Sequence, residues 1–128
     1  MAGSYTLKRL TEVEDSAPGF GMAEVQEARF ASEDLETQAT GVSYHRLKPG
    51  RRQSFGHRHE HAEEVYVVVS GSGRVKVDDE IVDVRPLDAL RVVPTSMRQF
   101  EAGGEGLEWL AFGPRHRGDG EIVPGWWS

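Results

Sequence analysis

Three histidines at alternate positions, followed by two glutamates, are the residues of this sequence best suited to do chemistry. The stretch GHRHEHAEEVYVVVSGSG, residues 56–73, contains His57, His59 and His61, with Glu63 and Glu64 shortly after them. Imidazole nitrogens and carboxylate oxygens are common ligands of divalent transition metals. The chain has no cysteine, which excludes thiolate ligands, thiol catalysis and disulfides. Any metal would therefore be held by nitrogen and oxygen.

The spacing of the histidines limits which of them can share one ion. Side chains alternate across a β-strand, so all three histidines share a face if the stretch is extended. Neighbouring members of the set are then about 6.6 Å apart at Cα, but His57 and His61 are about 13 Å apart. Either His57 with His59, or His59 with His61, can form the pair. The carboxylate must come from beyond a bend in the chain.

The elements that position these residues are predicted to be short strands. From residue 41 onward, short β-branched or apolar runs alternate with turns rich in glycine and proline, which is typical of an all-β barrel or sandwich. The runs that predict strands are VSYHRL, EVYVVVS, RVKV, IVDV, ALRVVP, RQFEA and LEWLAF. Residues 1–40 are less regular, with either an edge strand at 28–31 or a short helix capped by Ser32.

Length and charge narrow the classes of partner. A chain of 128 residues is long enough for one domain with its own core. The formal net charge of −6 disfavours nucleic acid and anionic membranes as partners. No apolar run approaches the roughly 20 residues of a membrane span, and the first residues show no signal-peptide core. We therefore expect a soluble, cytoplasmic protein.

One segment resembles the first sequence motif of the cupin superfamily, G-x5-H-x-H-x3,4-E-x6-G. In this chain His57 and His59 are followed after four residues by Glu64, and after six more by Gly71. Gly50 departs from the motif by one position, since it lies one residue further from His57 than the motif requires. The resemblance favours His57, His59 and Glu64 as metal ligands. It leaves His61 near the rim of the site.

The resemblance implies a fold and an organisation. Roughly residues 40–127 are similar to small single-domain bacterial cupins that have no assigned reaction. It implies a cupin double-stranded β-helix, or jelly-roll barrel, with a short N-terminal extension. The expected layout is one cupin domain over 1–128, with the extension at 1–40, the barrel motifs at 41–113 and a C-terminal tail at 114–128. Cupins of this size commonly pair through a sheet edge, so a homodimer is also implied.

The second cupin motif, G-x5-P-x-G-x2-H-x3-N, should supply another histidine, but the matching region LDALRVVPTSMRQFEAGG contains none. One alignment places Arg98 in the histidine position and Leu87 in that of the first glycine. Another, anchored on Pro94, places Gln99 there. We favour Arg98, because Phe100 then follows on the same face as an aromatic residue often does at this site. In either alignment one metal ligand is missing.

Three functions are compatible with such a reduced site. In the first, His57, His59 and Glu64 bind iron, manganese, nickel or zinc, and the protein is a metal-dependent oxygenase or isomerase acting on a small anionic molecule. Arg98, Tyr66 and Phe100 would then bind the substrate, with Gln99 as another rim residue. In the second, the pocket is free of metal and Arg98 holds a small anion. In the third, an Arg98–Glu64 ion pair fills the site.

Aromatic residues near the end of the chain have two possible locations. Trp126 and Trp127 either plug a mouth of the barrel or contribute to a dimer interface, where aromatic residues are enriched. Trp109 alternates with Leu107 and Ala111, which predicts that it lies in the core.

Overall fold

The protein is described by a computed structural model that covers residues 3–115 and 118–128. The strands are β1 (Gln26–Phe30), β2 (Thr40–Leu47), β3 (Phe55–His59), β4 (Glu64–Val77), β5 (Glu80–Val84), β6 (Ala89–Val92), β7 (Arg98–Pro114) and β8 (Gly120–Pro124). Only two short 3₁₀ turns, Leu10–Glu12 and Pro18–Phe20, accompany them in the described ranges. Among those residues no helix is long and apolar enough to cross a membrane.

Two long strands, β4 and β7, build the barrel because each of them takes part in two layers. In one layer, the first half of β4 lies between β6 and the second half of β7. The second half of β7 also pairs with β2, and β2 pairs with β1. In the other layer, the second half of β4 lies between β5 and the first half of β7. The first half of β7 also pairs with β3, and β3 pairs with β8. The predicted all-β jelly-roll, a double-stranded β-helix, is confirmed. Two further strands of the sheet lie outside the expected barrel segment 41–113: β1 precedes this segment in the sequence and β8 follows it.

Both long strands pass from one layer to the other at glycines. Gly71 in β4 and Gly106 in β7 have φ values of 81° and 84°, in the left-handed region that favours glycine. The two backbones also cross closely, because a Cβ on Gly71 would lie 2.0 Å from the carbonyl oxygen of Gly106. The register of the β4–β7 ladder shifts at the same place. Glycine is therefore required here by both conformation and space.

The core lies between the two layers. Trp109 is 2% exposed and stacks on Phe100, with ring centroids 4.1 Å apart and planes within 6°. Leu107 and Ala111 lie on the same face of β7 and are also buried, so the predicted core location of Trp109 is confirmed. The remaining buried apolar residues of this cluster are Leu47, Tyr66, Val68, Val75, Val84, Val92 and Ala102.

The C-terminal tail packs on the chain's own barrel. The Arg52 guanidinium carbon lies over the Trp127 ring, 4.0 Å from the ring centroid. Lys76 Nζ lies 4.7 Å from the centroid of the Trp126 ring. The side chain of Gln99 donates to the carbonyl oxygen of Trp127 at 3.0 Å and accepts from its N–H at 3.2 Å. The two tryptophans thus cover the outer face of the β7 layer. The homodimer stays a prediction.

The segment before β1 is held against the barrel by hydrogen bonds of the Asp15 and Arg29 side chains. Asp15 Oδ1 accepts hydrogen bonds from the N–H groups of Ala17 and Ala28, at 3.0 and 2.9 Å. The Arg29 guanidinium donates to the carbonyl oxygen of Val13 at 2.5 Å. These contacts place the following turn, which contains Phe20, beside the open end of the barrel.

Leu87 is a strained position whose relief should stabilise the fold. It has φ 72° although it is not glycine, and its side chain is 85% exposed. The left-handed conformation costs a residue other than glycine about 1–2 kcal/mol. Glycine removes this cost, but its more flexible unfolded chain offsets about 0.5–1 kcal/mol of the gain. We therefore expect Leu87→Gly to raise the free energy of unfolding in urea by about 0.5–1 kcal/mol. Leu7→Gly is the matched control, because Leu7 is 86% exposed and has ordinary φ. An equal effect of both changes would contradict the strain.

Candidate metal centre

The barrel brings His57, His59 and Glu64 together. The two histidines alternate on β3, and Glu64 is the first residue of β4, beyond the turn that connects them. The Nε2 atoms of His57 and His59 lie 3.3 and 3.0 Å from Glu64 Oε1. One ligand atom from each of the three residues lies within 4.8 Å of the others. Of the two histidine pairs that the spacing allowed, the structure gathers His57 and His59 around the carboxylate.

These distances suit a metal ion. Ligand atoms about 2.1 Å from one ion are roughly 3.0–3.4 Å apart at angles between 90° and the tetrahedral value. The two separations from Glu64 Oε1, 3.0 and 3.3 Å, fall in that range. The Nδ1 atoms of His57 and His59 are buried without a hydrogen-bond partner in the described residues, and both rings turn their Nε2 atoms toward the carboxylate. The donor set therefore fits a divalent transition metal.

His61, by contrast, lies outside this group. Its side chain is 67% exposed and its Nε2 lies 3.5 Å from Glu60 Oε1. Glu60, His61 and Asp119 form a second group with potential ligand atoms, but Glu60 and His61 are exposed and the Asp119 carboxylate already accepts backbone hydrogen bonds. Glu63 points away from Glu64, and its side chain is 57% exposed beside Arg91.

Glu64 Oε1 is the hub of a hydrogen-bond network. It lies within hydrogen-bond distance of the Nε2 atoms of His57 and His59, and it accepts from the Tyr66 hydroxyl and from Arg98 Nη2, the latter at 3.3 Å. Burial by itself raises the pKa of Glu64, but the hydrogen bonds from His57, His59 and Tyr66 outweigh burial and hold the pKa far below its usual range. Burial also lowers the pKa of His57. At neutral pH the site therefore contains a carboxylate and a neutral His57.

Arg98 lies behind the carboxylate and away from the cavity. It pairs with His57 across β3 and β7, which turns both side chains to the same side. Its side chain is 0% exposed. It donates to the Tyr66 hydroxyl at 2.9 Å and to the carbonyl oxygens of Pro94 and Ser96 at 3.0 and 2.7 Å. Nearly all its donors are thus used within the protein, and it is not among the residues that line the cavity.

The structure places Gln99 on the opposite side of β7 from Arg98. Its amide donates to the backbone oxygens of Gln53 and Trp127, far from the rim where we expected it. Leu87 supplies independent support for the alignment that puts Arg98 in the histidine position. That alignment places Leu87 where the motif has glycine, and Leu87 has the φ of 72° that a glycine would adopt easily.

A mainly apolar cavity of about 250 Å³ opens beside the three residues. His57, His59, Glu64 and Tyr66 form one polar region of its wall. The apolar lining comes from Ala17, Phe20, Met22, Ala28, Phe30, Phe55, Phe100, Trp109, Ala111 and Ile122. The remaining lining residues are Gln26, Ser43, His45, Gln53 and Gly120. No lysine or arginine occurs in this lining.

Sequence reasoning did not find Asp119, although it lies against the site. Its two carboxylate oxygens accept hydrogen bonds from the backbone N–H groups of Glu60, His61 and Ala62. Asp119 Oδ2 lies 3.5 Å from His59 Nδ1. Desolvation raises the pKa of Asp119, but these backbone donors lower it overall. A carboxylate behind a ligating histidine orients the ring and fixes its tautomer in many metal sites. Asp119 has no motif around it, so only the fold could reveal this contact.

A jelly-roll barrel with two histidines and a glutamate at one end defines a recognisable class of proteins. Residues 43–113 match the family model described as the cupin domain. This match covers more than half of the chain, so the protein belongs to the cupin family. No curated protein matches the chain significantly.

Solved structures resemble the whole fold. A cupin protein from Bacteroides fragilis is 22% identical, with a TM-score of 0.71 over 91% of this chain and 89% of that one. A conserved protein with a double-stranded β-helix domain from Klebsiella pneumoniae is 16% identical, with a TM-score of 0.72 over 91% and 96%. The polyketide cyclase RemF from Streptomyces resistomycificus is 20% identical, with a TM-score of 0.73 over 96% and 88%. At these identities the likeness supports the fold alone, and the fold includes enzymes.

Proposed function

We propose that the protein is a metal-dependent cupin enzyme that acts on a small, mainly apolar organic molecule. The observation that carries this proposal is the convergence of two imidazole nitrogens and one carboxylate oxygen at the wall of an apolar cavity. His57, His59 and Glu64 would hold iron, manganese, nickel or zinc. Two histidines and one carboxylate leave open positions around such an ion. The metal would supply Lewis-acid or oxygen-activating chemistry.

The surrounding residues have their own parts in this proposal. The Tyr66 hydroxyl accepts from Arg98 and donates to Glu64, so it holds the carboxylate in one orientation. Phe100 and Trp109 form a flat apolar wall that would bind the body of the substrate and exclude water. Because no lysine or arginine lines the cavity, we favour an uncharged substrate over the anionic one expected from the sequence.

A metal-free ligand-binding protein is the second candidate. The observation that favours it is the crowding of Glu64 Oε1, which already has four hydrogen-bond partners within the protein. A buried guanidinium next to the carboxylate balances its charge without an ion. In this case the cavity would bind an organic molecule without reaction, and Arg98 would support the wall of the cavity instead of gripping an anion.

Metal analysis of untagged protein separates the two candidates. We expect about one equivalent of a transition metal after incubation with iron(II), manganese, nickel or zinc under exclusion of oxygen. His57→Ala should lose this metal. His61→Ala is the matched control from the same histidine run and should keep it, because His61 is exposed and outside the group. Protein that folds but takes up none of the four metals would refute the enzyme proposal and leave the metal-free carrier.

Asp119→Asn should weaken metal binding without abolishing it. Loss of the carboxylate behind His59 Nδ1 removes the group that would orient this ring, and such changes typically cost 10- to 100-fold in metal affinity. Competition with a chromogenic chelator would measure the affinity. Glu121→Gln is the control, because Glu121 loses the same charge two positions away but its side chain is 57% exposed and paired with Arg58. Equal losses in both variants would show that only net charge matters.

A further inference from the structure

Ser43 and His45 form a second polar pair in the cavity, apart from the metal centre. Both residues lie on β2 with their side chains on the cavity side. Ser43 Oγ lies 2.8 Å from His45 Nε2. The proposed metal chemistry uses neither residue. No other hydrogen bond of the Ser43 hydroxyl occurs within the described residues.

The imidazole ring of His45 is clamped between aromatic side chains. It stacks on Trp109 with centroids 5.2 Å apart and planes within 11°. Phe30 meets it edge-on, at 5.6 Å and 83°. Its Nδ1 atom is buried and has no hydrogen-bond partner in the described parts of the chain. The ring therefore presents its polar edge to Ser43 and cannot turn easily to another partner.

The tautomer of His45 follows from this geometry. Burial lowers the pKa of His45 to about 4, so the ring is neutral near pH 7. A neutral imidazole carries one N–H. On Nδ1 that proton would be a buried donor without an acceptor, which is more costly than an unpaired acceptor. The proton therefore lies on Nε2 and is donated to Ser43 Oγ. The hydroxyl proton of Ser43 is then left for another acceptor.

We propose that Ser43 donates a hydrogen bond to an acceptor oxygen of the molecule bound in the cavity, and that His45 is a positioning residue that orients this hydroxyl. The inference rests on the cavity part of the proposed function and not on the metal. A cavity of about 150 Å³ holds benzene, so about 250 Å³ has room for a two-ring compound. The ligand class is an uncharged aromatic molecule that carries a ketone or a similar acceptor.

Two isosteric probes test this proposal on metal-free protein treated with EDTA. Methyl naphthyl ketone carries the acceptor, and isopropenylnaphthalene has the same shape without it. Dissociation constants would be measured by quenching of tryptophan fluorescence, since Trp109 lines the cavity. Ser43→Ala should weaken ketone binding about three- to tenfold and change hydrocarbon binding by less than about twofold. His45→Phe keeps an aromatic ring beside Trp109 but loses the donor, and it should weaken the ketone about two- to threefold.

Tyr44→Phe is the matched control on the same strand. Its hydroxyl bonds to Glu108 on the outer face, so its removal should leave both affinities unchanged. The proposal would be overturned if Ser43→Ala lost the same affinity for both probes, or lost no affinity for the ketone. It would also be overturned if the wild type bound neither probe. An unchanged ketone affinity in His45→Phe would overturn the positioning role.

Metal content, measured in parallel, separates this proposal from the enzyme proposal. Ser43→Ala should take up the same metal as the wild type, because Ser43 is outside the metal group. Ketone selectivity in a wild type that binds no metal would support the Ser43 site and refute the metal enzyme. Metal binding without ketone selectivity would support the metal enzyme and refute the Ser43 site.

Discussion

Arg98→His should raise the affinity for a divalent transition metal about a hundredfold. The guanidinium lies 3.3 Å from Glu64 Oε1, and an arginine opposes a cation and cannot ligate it. At an effective dielectric of about 40, between the values of about 20 near a protein surface and about 80 in water, a unit charge roughly 5 Å away costs a divalent ion about 3 kcal/mol, which corresponds to a factor of about a hundred. Histidine at this position would remove the opposing charge and offer a third imidazole. Competition with a chelator, using zinc and manganese, measures the change.

Arg98→Gln divides this effect into its two causes. Glutamine removes the charge without adding an imidazole. If the added ring binds the ion, Arg98→His will bind more tightly than Arg98→Gln. If the two variants bind equally, only the charge opposes the metal. Should neither variant exceed the wild type, the guanidinium does not compete with a metal at Glu64. Thermal unfolding must accompany these titrations, because both variants leave the carbonyl oxygens of Pro94 and Ser96 without the arginine donor.

Glu64→Gln should have the largest effect on stability. It leaves the fully buried Arg98 without its carboxylate partner, and breaking a buried ion pair from one side typically costs 3–5 kcal/mol. Because the Glu64 side chain is 18% exposed and glutamine keeps one oxygen acceptor, we expect a loss of about 3 kcal/mol in urea unfolding at neutral pH. Glu63→Gln is the matched control. Its side chain is 57% exposed and pairs with an exposed Arg91, so we expect a change under about 0.5 kcal/mol.

The pH dependence gives this prediction a second signature. The folded-state pKa of Glu64 lies below its unfolded value, which is about 4.3. A carboxylate of this kind contributes stability that is fully present above the unfolded pKa and is lost as the pH falls toward the folded pKa. The difference between wild type and Glu64→Gln should therefore be largest at neutral pH and shrink below about pH 4. A difference that is the same at neutral and acid pH would show that Glu64 is not held as an anion in the fold.

The sequence by itself determined the features that depend on neighbouring residues along the chain. The alternation of His57 and His59 follows from the period of a strand, and the distance to Glu64 follows from the length of one turn. The repeated short apolar runs likewise predicted an all-β barrel. The location of Trp109 in the core followed from its alternation with Leu107 and Ala111.

Only the tertiary structure decided which distant segments meet at the site. Arg98 and Gln99 are adjacent in sequence, but the pairing of β3 with β7 turns Arg98 toward Glu64 and Gln99 toward the tail. Asp119 reaches His59 because β8 pairs with β3. The segment containing Phe20 lines the cavity because Asp15 fastens it to β1. These contacts join residues far apart in the chain, and their geometry depends on sheet register and bends that no local period of the sequence encodes.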